Sequence, residues 1–307
     1  MKRFILKSLP FAALLLGLAL LLYPTVSEHI NAMHQSRAIQ SYNDIAESMS
    51  NEQQEQLIRA ANEYNRKIAS TQGVLFHPER VAGYDETLDI TGTGIMGYVT
   101  IEKIKVELPI YHSVDENVLQ IAAGHLPGTS LPVGGKGTHS VLSGHRGLPS
   151  ARLFTDLDKM EIGDVFYITV LSDVLTYQVD QIKTVKPYEV EDLAIDPDKD
   201  YCTLFTCTPY GINSHRLLVR GRRIETREEM KVYVANDGFM ISPFIVAPVI
   251  AAPILLILFI IMMFGGRKKK KSSYESSRRA VEEYFRGQEV SAAETKNERS
   301  DENAEGP

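Results

Sequence analysis

The chain has only two cysteines, Cys202 and Cys207, and their spacing decides what they can do. Both fall at a stretch that reads as a strand from Tyr201 to Thr206. Five residues of strand hold two Cα atoms roughly 16 Å apart, while a disulfide needs about 7 Å or less. An odd spacing also points the two side chains to opposite faces. The pair therefore cannot close, and at least one thiol is free. Cys202, early in the strand, reads as a small buried hydrophobe. Cys207 stands where the strand ends, before Thr208-Pro209-Tyr210-Gly211. Pro209 cannot continue a ladder, and strand-to-loop edges are where reactive groups are displayed.

A thiol nucleophile needs a partner for its protons, normally histidine. Of eight histidines, His145 stands out, in Ser143-Gly-His-Arg-Gly147 directly after the apolar Val141-Leu142. Glycines on both sides of a strand end suit the display of an imidazole; on spacing alone His139 and His215 remain rivals. Arg216 opens the next apolar run after a connection rich in Pro, Gly and Asn. If the two strands pair, its guanidinium returns beside Cys207, where it can favour a thiolate or donate to a developing oxyanion. Without the cysteine it would read as a surface arginine. The Cys and His residues show no paired metal-ligand spacing, so no metal site is expected.

The elements that must position these groups are mostly strands. Val99/Ile101, Leu108/Ile110, Val165–Val170, Leu175/Tyr177/Val179, Tyr201–Thr206 and Leu217–Ile224 alternate or form short β-branched runs. Ser172-Asp173 reads as the turn of a hairpin. Many short strands in one stretch predict a mainly β closed barrel or sandwich over 96–225. Ahead of it, residues 28–70 read as helices packed on the core. Leu57, Ala61, Tyr64 and Ile68 line one helical face, with Ser50 and Gln53 spaced as a capping box. Upstream, Ile30, Met33, Ile39, Tyr42 and Met49 form a looser stripe. Residues 71–95, broken by Gly73, Pro78, Gly83, Gly92 and Gly94, read as a long loop or lid.

The 307 residues are 44% apolar and 23% charged, which excludes a disordered or collagen-like chain, and the net charge of −6 argues against a nucleic-acid binder. Two stretches lack charge. Residues 8–27 follow Lys2, Arg3 and Lys7, so 1–27 reads as a cytoplasmic start and membrane anchor, with a signal peptide as the competing reading. Residues 239–266 read as a C-terminal transmembrane helix, preceded by a linker at 226–238 and followed at once by Arg267 and four lysines. Basic residues stay inside, so both termini are expected in the cytoplasm and the domain between them outside a cell membrane. The tail, 267–307, is basic and then mixed in charge; its basic run is expected to touch anionic lipid.

Four motifs carry a family resemblance. Thr203-Leu-Phe-Thr-Cys-Thr-Pro-Tyr-Gly-Ile-Asn-Ser-His-Arg-Leu-Leu-Val-Arg-Gly221 resembles the cysteine signature of sortases, and Thr138-His-Ser-Val-Leu-Ser-Gly-His-Arg-Gly-Leu-Pro149 their histidine motif. Residues 124–135 and 96–104 fit as well, and the likeness is to class C, the pilus-assembling sortases of Gram-positive bacteria. The resemblance implies an eight-stranded sortase β-barrel with N-terminal helices, flanked by two membrane helices. It implies Cys207 as nucleophile, His145 as general acid/base and Arg216 as the group that stabilises the oxyanion or positions substrate; His125 and His215 take no catalytic role. It implies cleavage of an LPxTG-like sorting signal between Thr and Gly, a thioacyl enzyme, and transfer to a pilin lysine, with no cofactor. A sortase that anchors proteins to peptidoglycan, and an inactive domain that only binds sorting signals, are the alternatives. One departure concerns the lid. Class C lids often carry an Asp-Pro-aromatic anchor, but Phe76-His-Pro-Glu-Arg80 lacks both the Asp and the following aromatic. Anchoring through Phe76 or His77, or a lid that does not plug the site, is the expectation that follows.

Overall fold

In the computed structural model of the chain, the described backbone comprises residues 2–226, 256 and 277–286; within the first helix, side chains are described at residue 14 and from residue 16 onward. Two contact units divide near residue 240. The second contributes only residue 256 and a helical stretch at 277–286 to the description.

The first unit opens with two helices, α1 (Lys2–Ser48) and α2 (Asn51–Ser70). The stop between them is local chemistry. Ser50 accepts from the Gln53 amide, and the Gln53 side chain accepts from the Ser50 amide, so the capping box satisfies two donors that the new helix leaves open. The predicted face of α2 is the buried one: Ala61, Tyr64 and Ile68 face the core, joined by Asn65, which holds Leu131 through both its backbone groups. In α1, Ile39, Tyr42 and Ala46 are buried, and the Tyr42 hydroxyl donates to the Met96 carbonyl and accepts from the Leu171 amide. Burial pushes the Tyr42 pKa upward.

The rest is an eight-stranded closed barrel: β1 (Ile95–Ile101), β2 (Val106–His112), β3 (Ala123–His125), β4 (Thr138–Ser143), β5 (Val165–Val170), β6 (Asp173–Val185), β7 (Asp200–Thr208) and β8 (His215–Ile224). A short helix, α3 (Glu116–Leu119), connects β2 to β3. The order around the barrel is β1-β2-β3-β4-β7-β8-β6-β5, and β5 returns to β1. Closure removes sheet edges. Met96, Leu142, Phe154, Phe166, Cys202, Leu204 and Val219 fill the interior. Gly221 is required there: a Cβ would stand 2.6 Å from the Phe166 ring and 2.8 Å from Tyr177 Cβ. The hairpin turn is one residue earlier than expected, at Leu171-Ser172, with Leu171 at φ 53°.

The membrane expectations are not supported here. Among the described residues, no helix is long and apolar enough to cross a membrane. The second expected span lies outside them except for Leu256, and several side chains of the first are not described.

Candidate active site

Three neighbouring strands, β4, β7 and β8, carry the residues singled out in the sequence. β7 and β8 pair antiparallel, with Cys207 directly opposite Arg216. Directly paired residues share a sheet face with Cβ atoms about 5 Å apart. The pairing expected from the sequence is therefore present. The strands are longer than expected: β7 runs to Thr208 and β8 starts at His215, so Cys207 is the penultimate strand residue rather than lying beyond the end.

β4 runs parallel to β7, from Thr138 opposite Asp200 to Ser143 opposite Phe205. The chain holds that course past the strand end. The Gly144 amide donates to the Phe205 carbonyl at 3.1 Å, and the buried Thr206 hydroxyl donates to the Gly144 carbonyl at 2.7 Å. His145 thus stands two residues past the last paired residue of β4, as Cys207 stands two past that residue's partner, Phe205. The flanking glycines have separate reasons. At Gly144 a Cβ would meet the Phe154 ring at 2.6 Å. Gly147 has φ 79°, and a Cβ there would meet the Tyr210 ring at 2.8 Å, which ties the β7–β8 loop to the loop after β4.

The two thiols differ as expected. Both are free; Cys202 faces the core, fully buried, and burial pushes its pKa well up, while Cys207 on the opposite face is half-buried. The Arg216 guanidinium donates to the Asn213 and His215 carbonyls in its own loop at 3.2 and 3.1 Å. Arg146, with only 10% of its side chain exposed, reaches from the residue after His145 to the residue after Cys207: Nη1 donates to Thr208 Oγ1 at 3.3 Å, and Nη2 pairs with Asp158 at 2.6 Å. His145 Nε2 lies 3.4 Å from Glu116 Oε2. Sequence reasoning missed both Arg146 and Glu116. Arg146 stood inside the histidine motif; nothing local marks Glu116.

His139 and His125 are built into the fold. His139 is buried, with ring nitrogens 2.9 Å from the Ala194 carbonyl and 2.7 Å from the Thr203 hydroxyl. His125 is fully buried; Nε2 donates to the Ser130 carbonyl at 2.8 Å, and burial lowers its pKa to about 4. His215 contacts Ser214. Among the described residues, no three His, Cys, Asp or Glu side chains gather as a metal site. A groove lined by Asn62, Arg66, Gly135 and Lys136 opens at the start of β4, away from His145.

The lid expectation needs correcting. Phe76 is 66% exposed, and the His77 ring pairs with Glu79, also on the surface. Val74, Val81 and Leu88 are buried instead, and Tyr84 is the anchor. Its ring packs between Tyr64, His112 and His125. Its hydroxyl lies 2.9 Å from His125 Nδ1 and 3.0 Å from the His125 carbonyl, and accepts from the Ser113 amide. Among the described residues, no hydrogen bond or ion pair joins residues 71–94 to Cys207, His145 or Arg216.

Comparison with known proteins agrees with this fold. Residues 99–224 match the family described as the sortase domain. The chain is 32% identical over 117 residues to sortase A of Streptococcus agalactiae serotype III, covering 37% of this chain and 47% of that one. It is 30% identical over 133 residues to sortase A of Bacillus anthracis, covering 43% and 61%. The match thus spans about half to three-fifths of those two relatives. Among solved structures, sortase C1 of Streptococcus agalactiae is 48% identical with a TM-score of 0.57, covering 62% of this chain and all of that one. Sortase C of Streptococcus pneumoniae is 44% identical with a TM-score of 0.56, covering 62% and 97%.

Proposed function

The chain belongs to the sortase family, and from that premise we propose that it is a cysteine transpeptidase that joins LPxTG-type sorting signals to a lysine of a pilin subunit. The observation that carries the reading is the register of three adjacent strands: Cys207 lies opposite Arg216, and β4, which leads into His145, pairs with β7 as far as Phe205. In this reading the Cys207 thiolate attacks the Thr–Gly carbonyl of the signal, and the Arg216 guanidinium donates to the oxyanion. His145 protonates the departing glycine amine as the C–N bond breaks, leaving a thioester on Cys207. A lysine amine then attacks the thioester carbonyl, the C–S bond breaks, and an isopeptide bond remains. Likeness to two sortases C supports the pilin acceptor, since the Streptococcus pneumoniae protein is described in connection with pilin substrate specificity.

The same reading sets the catalytic domain outside a cell membrane with both termini inside. Its support is the two charge-free stretches and the basic residues beside them.

The test uses the full-length chain with an LPxTG-type peptide, read by intact mass spectrometry with and without a pilin bearing the acceptor lysine. A thioacyl adduct on Cys207 that passes to the pilin lysine is the expected result, and Cys207→Ala forms none while unfolding at the wild-type midpoint. An adduct released only to water or to a peptidoglycan amine refutes the pilin acceptor; an active Cys207→Ala variant refutes the mechanism.

A further inference from the structure

Glu116 is an acidic side chain at the histidine of the site. It opens α3, and Gln120 Nε2 donates to its Oε1 at 3.2 Å, which turns Oε2 to His145 Nε2 at 3.4 Å. The exposures are unequal. The carboxylate side chain is 67% exposed and that of His145 25%, while Nε2 itself is buried and has no hydrogen-bond partner. Glu116 Oε2 stands within ion-pair distance of that nitrogen and is open to solvent on its other side. Of the two arginines of the site, Arg146 is already paired with Asp158, which leaves Arg216, opposite Cys207, as the cation without a carboxylate partner among the ion pairs of the described residues.

The two half-reactions make unequal demands on this layout. The sorting signal arrives as a neutral peptide bond. The acceptor arrives as a lysine ε-ammonium, because the amine of lysine is protonated near neutral pH. A cation approaching the Arg216 guanidinium is repelled unless an anion receives it.

We propose that Glu116 is the receiving group for the acceptor ammonium and selects cationic amines over neutral nucleophiles; the proposal rests on the lysine-acceptor reading above. The ammonium pairs with the Glu116 carboxylate at the edge of the His145 ring. It loses two protons in all, one released to solvent by way of Glu116 and one taken by neutral His145. The freed nitrogen pair forms the C–N bond to the thioester carbonyl, the C–S bond breaks, and its electron pair returns to the Cys207 sulfur. The products are the isopeptide, a Cys207 thiolate and a His145 imidazolium.

A competition experiment isolates this step. Full-length chain is acylated with an LPxTG-type peptide in the presence of both an Nα-acetyl-lysine amide and hydroxylamine, which is neutral at pH 7. Both acceptors draw on the same thioacyl enzyme, so the ratio of lysine to hydroxylamine product is independent of how fast that enzyme forms. Glu116→Gln is expected to lower the ratio about tenfold, equivalent to roughly 1.4 kcal/mol, and Glu116→Asp to restore part of it. Salt is expected to lower the wild-type ratio and to leave that of Glu116→Gln nearly flat. An unchanged ratio in Glu116→Gln overturns the proposal, and if both products fall together Glu116 acts only by orienting His145. Wild-type chain that acylates and releases to hydroxylamine but never to lysine refutes the lysine-acceptor reading, and this proposal with it.

Discussion

Acidification should destabilise this barrel well before its carboxylates protonate, through His125. The ring is fully buried, donates to Ser130 and is approached at Nδ1 by Tyr84; burial holds its pKa at about 4, and the neighbouring His112 pushes the same way. In the unfolded chain a histidine titrates near 6.5. Between these values the unfolded state binds a proton that the folded state refuses. The stability contributed by the neutral ring is thus complete above about pH 6.5 and is lost as pH falls toward 4. Integrating the linkage gives a loss of about 2 kcal/mol between pH 7 and pH 5 and about 3 kcal/mol by pH 4. His139, also lowered by burial, adds in the same direction. The Asp200 carboxyl, held above its usual range by burial, works in the opposite sense as the carboxylate range is approached. The comparison with a variant therefore decides. Urea unfolding of the full-length chain in detergent at pH 7 and pH 5 should show the loss, equivalent to a melting point lower by about 4–8 °C for a domain of this size. His125→Gln should remove more than half of the pH dependence, and histidine ring NMR should find His125 neutral at pH 5 in the wild type. Stability that is flat or rising from pH 7 to pH 5, or a slope that survives His125→Gln undiminished, refutes the reasoning.

Three further outcomes follow from particular contacts. Arg146→Met and Thr208→Val should each slow thioacyl formation, and the double variant should be little worse than the slower single one, because both remove the 3.3 Å bond between the histidine and cysteine loops; additive effects in stopped-flow acylation would show that the bond does not couple them. Tyr84→Phe strands the Ser113 amide and His125 Nδ1. It should cost about 1–3 kcal/mol by urea unfolding, with faster proteolysis in 71–94; wild-type stability would mean that Tyr84 is not the anchor. Gly221→Ala drives a methyl into the Phe166–Tyr177 stack. It should cost about 1–3 kcal/mol by overpacking without changing activity per folded molecule, because Gly221 pairs with Cys202 rather than with Cys207.

Much of this was legible from local pattern. The start of α2 could be read because a capping box is written within four residues, and its buried face because helical periodicity repeats in the sequence. The two cysteines could be separated because strand rise and alternation are fixed by backbone geometry alone, and Cys202 and Cys207 do face opposite ways. The β7–β8 pairing was accessible for the same reason: antiparallel neighbours joined by a short loop are close in the chain. Whether the strands closed into a barrel or stacked as a sandwich was left open by their pattern. The family resemblance, not the spacing, pointed to His145 over His139 and His215.

Tertiary structure decided what depends on contacts between distant segments. Parallel strands cannot be joined by a tight turn, so β4 and β7 meet across more than fifty residues, and no local signal announces that the strand leading to His145 lies beside the one that carries Cys207. The same pairing buries His139 against Thr203 and so removes it from the chemistry. The lid anchor moved from Phe76 and His77 to Tyr84 because only the folded barrel supplies a pocket with an imidazole, a carbonyl and an amide for one phenol. Glu116 could not be singled out at all: one exposed acid on a four-residue helix looks like any other until α3 and the end of β4 set it beside a histidine. Sequence determined which groups could react and which faces they occupy, because those follow from bond geometry and short-range periodicity. Their assembly into one site followed from strand order, which is fixed by how the whole chain buries its apolar surface.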